Sequence, residues 1–275
     1  MKITENLCLK NCINAPEYSD VTLVVGASKK KIHVHRVILA MESNYYKAAF
    51  NTHWNQNKEK IVIEHLNFDV EIIELILQYI YTKNIYVEEH LIPKVYEAAN
   101  YLEILSLCDF CSEEISTSNS YEFFKIAYAI GNMPVLRECT SCIEKDIFSN
   151  DQNYTLLKSF NENLIFALIG LSTCKYAQKF EMLKNWAIVA SEEDPEVATQ
   201  KLIKVIKRLI ESFHLFEFTR KEEDAVIKPY LDSIFDVELK NQLQITFGNF
   251  KSLKKEVSVP PTYVPPAIRY NKLRR

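Results

Sequence analysis

Two C-x-x-C pairs, Cys108/Cys111 and Cys139/Cys142, have the residue type and spacing that tetrahedral zinc requires. Both pairs fall inside strongly helical apolar stretches rather than on glycine-rich turns. Free cysteine is also among the most buried residue types, so core packing is favoured over a metal site. His33 and His35 alternate on a predicted strand and would share a face, yet no third ligand accompanies them. No G-x-S-x-G, P-loop, H-E-x-x-H or dinucleotide fingerprint occurs, and no nucleophile–base pair is legible. The expectation is a protein that is not an enzyme and uses no metal or cofactor.

The remaining chemistry is that of contact. Pro260, Pro261 and Tyr263 form a P-P-x-Y sequence in a proline-rich stretch. Such segments pre-form polyproline II and dock into aromatic grooves, which makes them a candidate ligand for a WW domain. A semi-rigid linker carrying an exposed tyrosine is the plainer alternative. Residues 251–275 hold seven basic residues against Glu256 alone, a net +6, which leaves −9 on the first 250. An acidic body argues against direct nucleic-acid binding. No apolar run approaches the roughly 20 residues of a membrane span, so no membrane is expected. The opening MKITENLCLKNC lacks the apolar segment of a secretory signal. With seven cysteines, an odd number, this points to reduced thiols in the cytosol or nucleus.

The elements that must carry these residues are mostly helical. Four glycines in 275 residues disfavour turn-rich β architecture. Residues 1–17 read as an amphipathic lead-in, with Ile3, Leu7 and Ile13 on one face and Ala15-Pro16 at its end. Val21, Leu23 and Val25 alternate as in a half-buried strand, and Ile61-Val62-Ile63 is a second short apolar run. Val70 to Tyr81 has helical spacing and stops at Thr82-Lys83-Asn84, and Leu91 to Leu107 continues a helical period. Residues 117–247 are helical by pattern, with breaks near Asn119-Ser120, Asn150 to Asn153 and Asp194-Pro195. From Lys251 the composition turns to Pro, Lys and Arg, as in a disordered tail.

Ser19 to Phe50, SDVTLVVGASKKKIHVHRVILAMESNYYKAAF, resembles the opening of a BTB/POZ domain, whose pattern is D-V-x-L, a hairpin, then H-R-x-V/I-L-A. IVIEHLNFDVEIIELILQYIYTKNI and LIPKVYEAANYLEILSLCDFCSEEI resemble its later segments, with Cys108 at a commonly apolar position. YEFFKIAYAIGNMPVLRECTSCIEKDI and the helices up to Trp186 resemble a BACK domain, although Lys175 to Phe180 departs from that pattern. The implied architecture is α+β and predominantly helical: a dimerisation segment over 1–17, BTB over 18–115, a BACK-like region over 116–250, and the basic tail over 251–275. The Kelch propeller of the best-known relatives is not expected to follow.

The resemblance implies two contact surfaces. One is a homodimer interface using Leu7, Ile13 and a charged pocket of Asp20, His35 and Arg36. The other is a cullin-3 site at Phe50, Trp54 and Gln56, flanked by Tyr96 and Tyr101. Gln56 stands where cullin-binding relatives carry glutamate, which removes a charge-assisted hydrogen bond. The implied function is a ubiquitin-ligase adaptor that presents a target through the BACK-like region or the tail. The alternatives are a homo-oligomeric scaffold, a transcriptional co-regulator without ligase activity, or a competitive cullin binder.

Overall fold

A computed structural model describes residues 9–51, 60–149, 154–192, 194–213, 228–233 and 241. The chain divides into two compact units between Asn119 and Ser120. The first unit is built on a three-stranded sheet in the order β2-β1-β3. β1 (Val21–Val25) pairs antiparallel with β2 (Lys30–Val34), Val21 opposite Val34. It pairs parallel with β3 (Ile61–His65), Val21 opposite Ile61. Val21, Leu23 and Val25 are buried, as their alternation predicts. Val24 is also buried; as the central strand's residue it lies between Lys31 and Glu64 in both ladders.

The β1–β2 turn needs glycine at its first position. Gly26 has φ +69, and a Cβ there would stand 3.2 Å from Val70 Cγ2. β2 then ends sooner than the histidine alternation predicts. His35 is the extended residue preceding α1 (Arg36–Glu42), and the Tyr81 hydroxyl lies 2.9 Å from both its backbone N and its Nδ1.

α1 and α2 (Asn44–Phe50) are separated by Ser43, which is buried. Its hydroxyl accepts from Tyr46 N, capping α2, and donates to Leu102 O at 2.6 Å. α3 (Val70–Thr82) buries Ile72, Ile73, Ile76, Leu77, Ile80 and Tyr81, and stops at Lys83 in the left-handed conformation. Each buried aliphatic side chain there contributes about 1.5–3 kcal/mol.

The predicted continuous helix over 91–107 is instead α4 (Ile92–Tyr101) and α5 (Leu105–Glu113). Glu103 adopts φ +54 between them, and the break lets both Leu102 and Ile104 reach the core at 0% exposure. The predicted lead-in helix is, in its described part, only the 3-10 turn Leu9–Cys12. Asn14, at φ +60, then clamps the chain to β2: its N donates to His33 O, and its Oδ1 accepts from His33 N.

The second unit is all helix among its described residues: α6 (Ser120–Ile130), α7 (Met133–Ser149), α8 (Glu162–Leu171), α9 (Tyr176–Ala190), α10 (Pro195–Phe213) and α11 (Lys228–Ser233). The predicted breaks at Asn119-Ser120 and Asp194-Pro195 coincide with helix starts. Asp194 Oδ1 caps α10 by accepting from Glu196 N and Val197 N. α8 is buried from Leu164 to Ile169, too apolar all round for a surface helix. Trp186 packs in this core with its Nε1 donating to Phe160 O at 2.9 Å.

Candidate protein-interaction surface

Asp20 ends the irregular chain before β1, and Arg36 opens α1, so the fold sets their side chains at one corner of the sheet. Arg36 N donates to Asp20 Oδ1 at 2.7 Å, and Arg36 Nε lies 3.6 Å from Asp20 Oδ2. The guanidinium stands 5.9 Å from the centre of the Phe50 ring, a cation–π arrangement. Asp20 O also accepts from Ile61 N, which ties this corner to β3. The ion pair is partly solvated, so it contributes at most about 1 kcal/mol; its larger effect is to fix the start of α1. A pocket of about 360 Å³ opens here, lined by Asp20, Arg36, Val37, Ala40, Lys47, Phe50 and Asn51. Val37 and Met41 stand one helical turn apart on α1 at 65% and 77% exposure. They make an apolar strip beside the charged corner.

Of the residues assigned to the dimer, the structure brings Asp20 and Arg36 together, while the neighbouring His35 is hydrogen-bonded to Tyr81. Ile13 is half-buried, and Leu7 lies outside the described residues. Of those assigned to cullin, Trp54 and Gln56 lie outside the described residues, as do Pro260, Pro261 and Tyr263. Phe50 is buried, lies under the Arg36 guanidinium and lines the pocket. Tyr96 corrects the sequence reading: at 1% exposure it is a core residue of α4, because its position falls on the helix's apolar stripe with Val95 and Ala99. Tyr101 is exposed, and so is Leu105 just beyond the helix break.

Sequence reasoning missed His65 and the ring cluster around it. His65 ends β3 at 2% exposure, and its Nε2 lies 2.8 Å from the Tyr46 hydroxyl. Its Nδ1 is buried without a hydrogen-bond partner among the described residues. Tyr45, Tyr46, Phe68 and Tyr101 surround it with ring centres 5.6–6.4 Å away. Burial pulls the imidazole pKa down to about 4 and pushes the Tyr45 phenol up to about 12. The Tyr46 phenol is likewise raised by burial. Tyr101 is the exposed end of this cluster, tilted against Tyr45 and edge-on to Phe68.

The cysteines sit as packing residues do. Cys111 and Cys139 are fully buried on α5 and α7, one in each unit, while Cys108 and Cys142 are half-buried. Burial raises the thiols, Cys108 to about 11 and Cys111 to about 12, which disfavours the thiolate that binds metal. Among the described residues no three His, Cys, Asp or Glu side chains converge on a metal-sized site. No described helix is long and apolar enough to cross a membrane.

Comparison with known proteins places residues 9–119 in a match to the BTB/POZ domain. Over 193 residues the chain is 28% identical to Kelch-like protein 9 of Mus musculus, covering 68% of this chain and 31% of that protein. Over 263 residues it is 24% identical to Kelch-like protein 40a of Danio rerio, covering 93% of this chain and 40% of that one. The solved BTB domain of human gigaxonin shares 25% identity, covers 42% of this chain and 95% of that domain, and gives a TM-score of 0.35. The chain thus spans well under half the length of these Kelch-like relatives.

Proposed function

From the premise that this chain is a BTB/POZ domain protein with Kelch-like relatives, we propose that it is a homodimeric adaptor joining cullin-3 to a target protein in the cytosol or nucleus. The dimer forms on α1. Val37 and Met41 supply the apolar strip, and the Asp20–Arg36 corner supplies the polar rim. The apolar strip beside a fixed charge pair is the observation that supports the reading. Two large apolar side chains exposed a turn apart forgo burial in a monomer, whereas two copies related by a twofold axis would bury both.

Cullin-3 would contact Trp54 and Gln56, as the resemblance implies, and the exposed Tyr101, with the exposed Leu105 adding apolar area. Phe50 and Tyr96 then act from beneath, as packing that holds α2 and α4 in place. The BACK-like helical unit or the proline-rich tail would present the target, with Pro260, Pro261 and Tyr263 as a WW-domain ligand. Sedimentation of the intact chain at micromolar concentration tests the dimer. A dimer that Met41→Glu converts to monomer supports the proposal, and a wild-type monomer refutes it.

The second reading is a dimeric scaffold or co-regulator without ligase activity, and Gln56 favours it. An amide in place of the motif carboxylate weakens the hydrogen bond that cullin-binding relatives use. Cullin binding in the absence of any target would define a competitive version.

A further inference from the structure

The segment closing the first unit reads Glu113-Glu114-Ile115-Ser116-Thr117-Ser118-Asn119, and the chain divides directly after it. One carboxylate ties this segment to the 3-10 turn Glu89–Leu91. Glu89 Oε1 accepts from Ser116 Oγ at 2.6 Å and also from Ser118 Oγ. The two hydroxyls lie 2.8 Å apart. Asn119 stiffens the turn internally: its Oδ1 accepts from Ser116 N, and its Nδ2 donates to Glu114 O. The hydroxyl bonds hold the Glu89 carboxyl below the usual carboxylate range. Thr117 and Ser118 are exposed, Ser116 is half-buried and only Asn119 at the turn's end is buried, so the two hydroxyls that meet Glu89 lie at or near the surface.

A hydroxyl facing a carboxylate is an attractive contact only while it keeps its proton. Esterified with phosphate, the same oxygen loses its donor and brings close to two negative charges. Most of the nearest sequence neighbours add to the repulsion. Glu88, Glu113 and Glu114 are acidic, and the nearby His90 is 3.4 Å from Glu88. The sequence also offers a recognition feature, because Glu113 stands three residues before Ser116. A kinase with a basic subsite at that spacing would find its carboxylate.

We propose that Ser116 is a phosphorylation site, and that phosphate on it opens the Glu89 clamp and releases the 114–119 turn from the Glu89–Leu91 turn. The Ser116 oxygen attacks the γ-phosphorus of a nucleoside triphosphate, and the bond from that phosphorus to the β-bridging oxygen breaks. The nucleoside diphosphate leaves, and the hydroxyl proton passes to the kinase's base.

The test uses the intact chain with magnesium-ATP and an acid-directed serine/threonine kinase, followed by peptide mapping and hydrogen exchange. The expected result is phosphate on Ser116 and several-fold faster exchange over residues 86–92 and 112–119. Ser116→Asp should reproduce the faster exchange, Ser116→Asn should not, and Glu89→Gln combined with Ser116→Asp should restore protection. A Ser116 left bare while other sites are phosphorylated would overturn the site. Equal exchange for Ser116→Asp with Glu89 or Gln at position 89 would overturn the clamp.

Discussion

His65 should make the first unit acid-labile, and the size of the effect follows from its surroundings. It is buried among tyrosines, neutral, and bound through Nε2 to the Tyr46 hydroxyl. Its pKa falls from 6.5 in the open chain to about 4 in the fold, because burial penalises the imidazolium. A depressed histidine contributes stability that is complete above 6.5 and declines as pH falls from 6.5 towards 4. The unfolded chain takes up the proton first, which draws the equilibrium towards it. At about pH 5 the loss amounts to about 2 kcal/mol, and it approaches about 3 kcal/mol below pH 4. The raised Tyr45 and Tyr46 phenols stay neutral throughout this window and do not mask the effect.

The assay is urea unfolding followed by circular dichroism at several pH values, for the wild type and for His65→Gln. Glutamine keeps a polar atom for Tyr46 but does not titrate. It should lower stability near neutrality, where the imidazole fits better, and it should flatten the acid dependence by about one proton. Carboxylates titrate equally in both proteins and cancel. Parallel pH profiles for the two proteins would refute the reasoning.

Trp186→Ala should cost about 3–5 kcal/mol in the second unit, from the emptied core volume and the unpaired Phe160 carbonyl, read as a lowered thermal midpoint. Gly26→Ala should cost about 1–3 kcal/mol, since it forces a side chain into a left-handed turn and against Val70; an unchanged denaturation midpoint would contradict the turn geometry. Met41→Glu should dissociate the dimer without lowering the thermal midpoint of the monomer, because Met41 is 77% exposed and supports no core; a persistent dimer in sedimentation would move the interface elsewhere.

The sequence carried much of this fold because its elements obey simple periods. β1 alternates, α3 repeats every three to four residues, and Asp194-Pro195 announces α10. The failures share a physical cause. Glu103 breaks the helix by a left-handed conformation that no glycine signals, and the flanking Leu102 and Ile104 continue an apolar period straight through it. His35 belongs to Tyr81, a residue 46 positions away, and no local pattern encodes that pairing. Tyr96 and Tyr101 look alike in sequence, but five positions on a helix turn one into the core and the other to solvent. The Asp20–Arg36 corner was legible only through family resemblance, since 16 residues and a hairpin separate its members. His65 was legible in neither way. A histidine at the end of an apolar run carries no mark of the aromatic rings that later enclose it.

The adaptor account stands most directly on titration calorimetry of the intact protein against the cullin-3 N-terminal domain, with Trp54→Ala alongside. It predicts submicromolar binding with one cullin domain per protomer, lost in the variant despite unchanged folding. An absence of binding heat by a well-folded dimer would contradict it and leave self-assembly as the function.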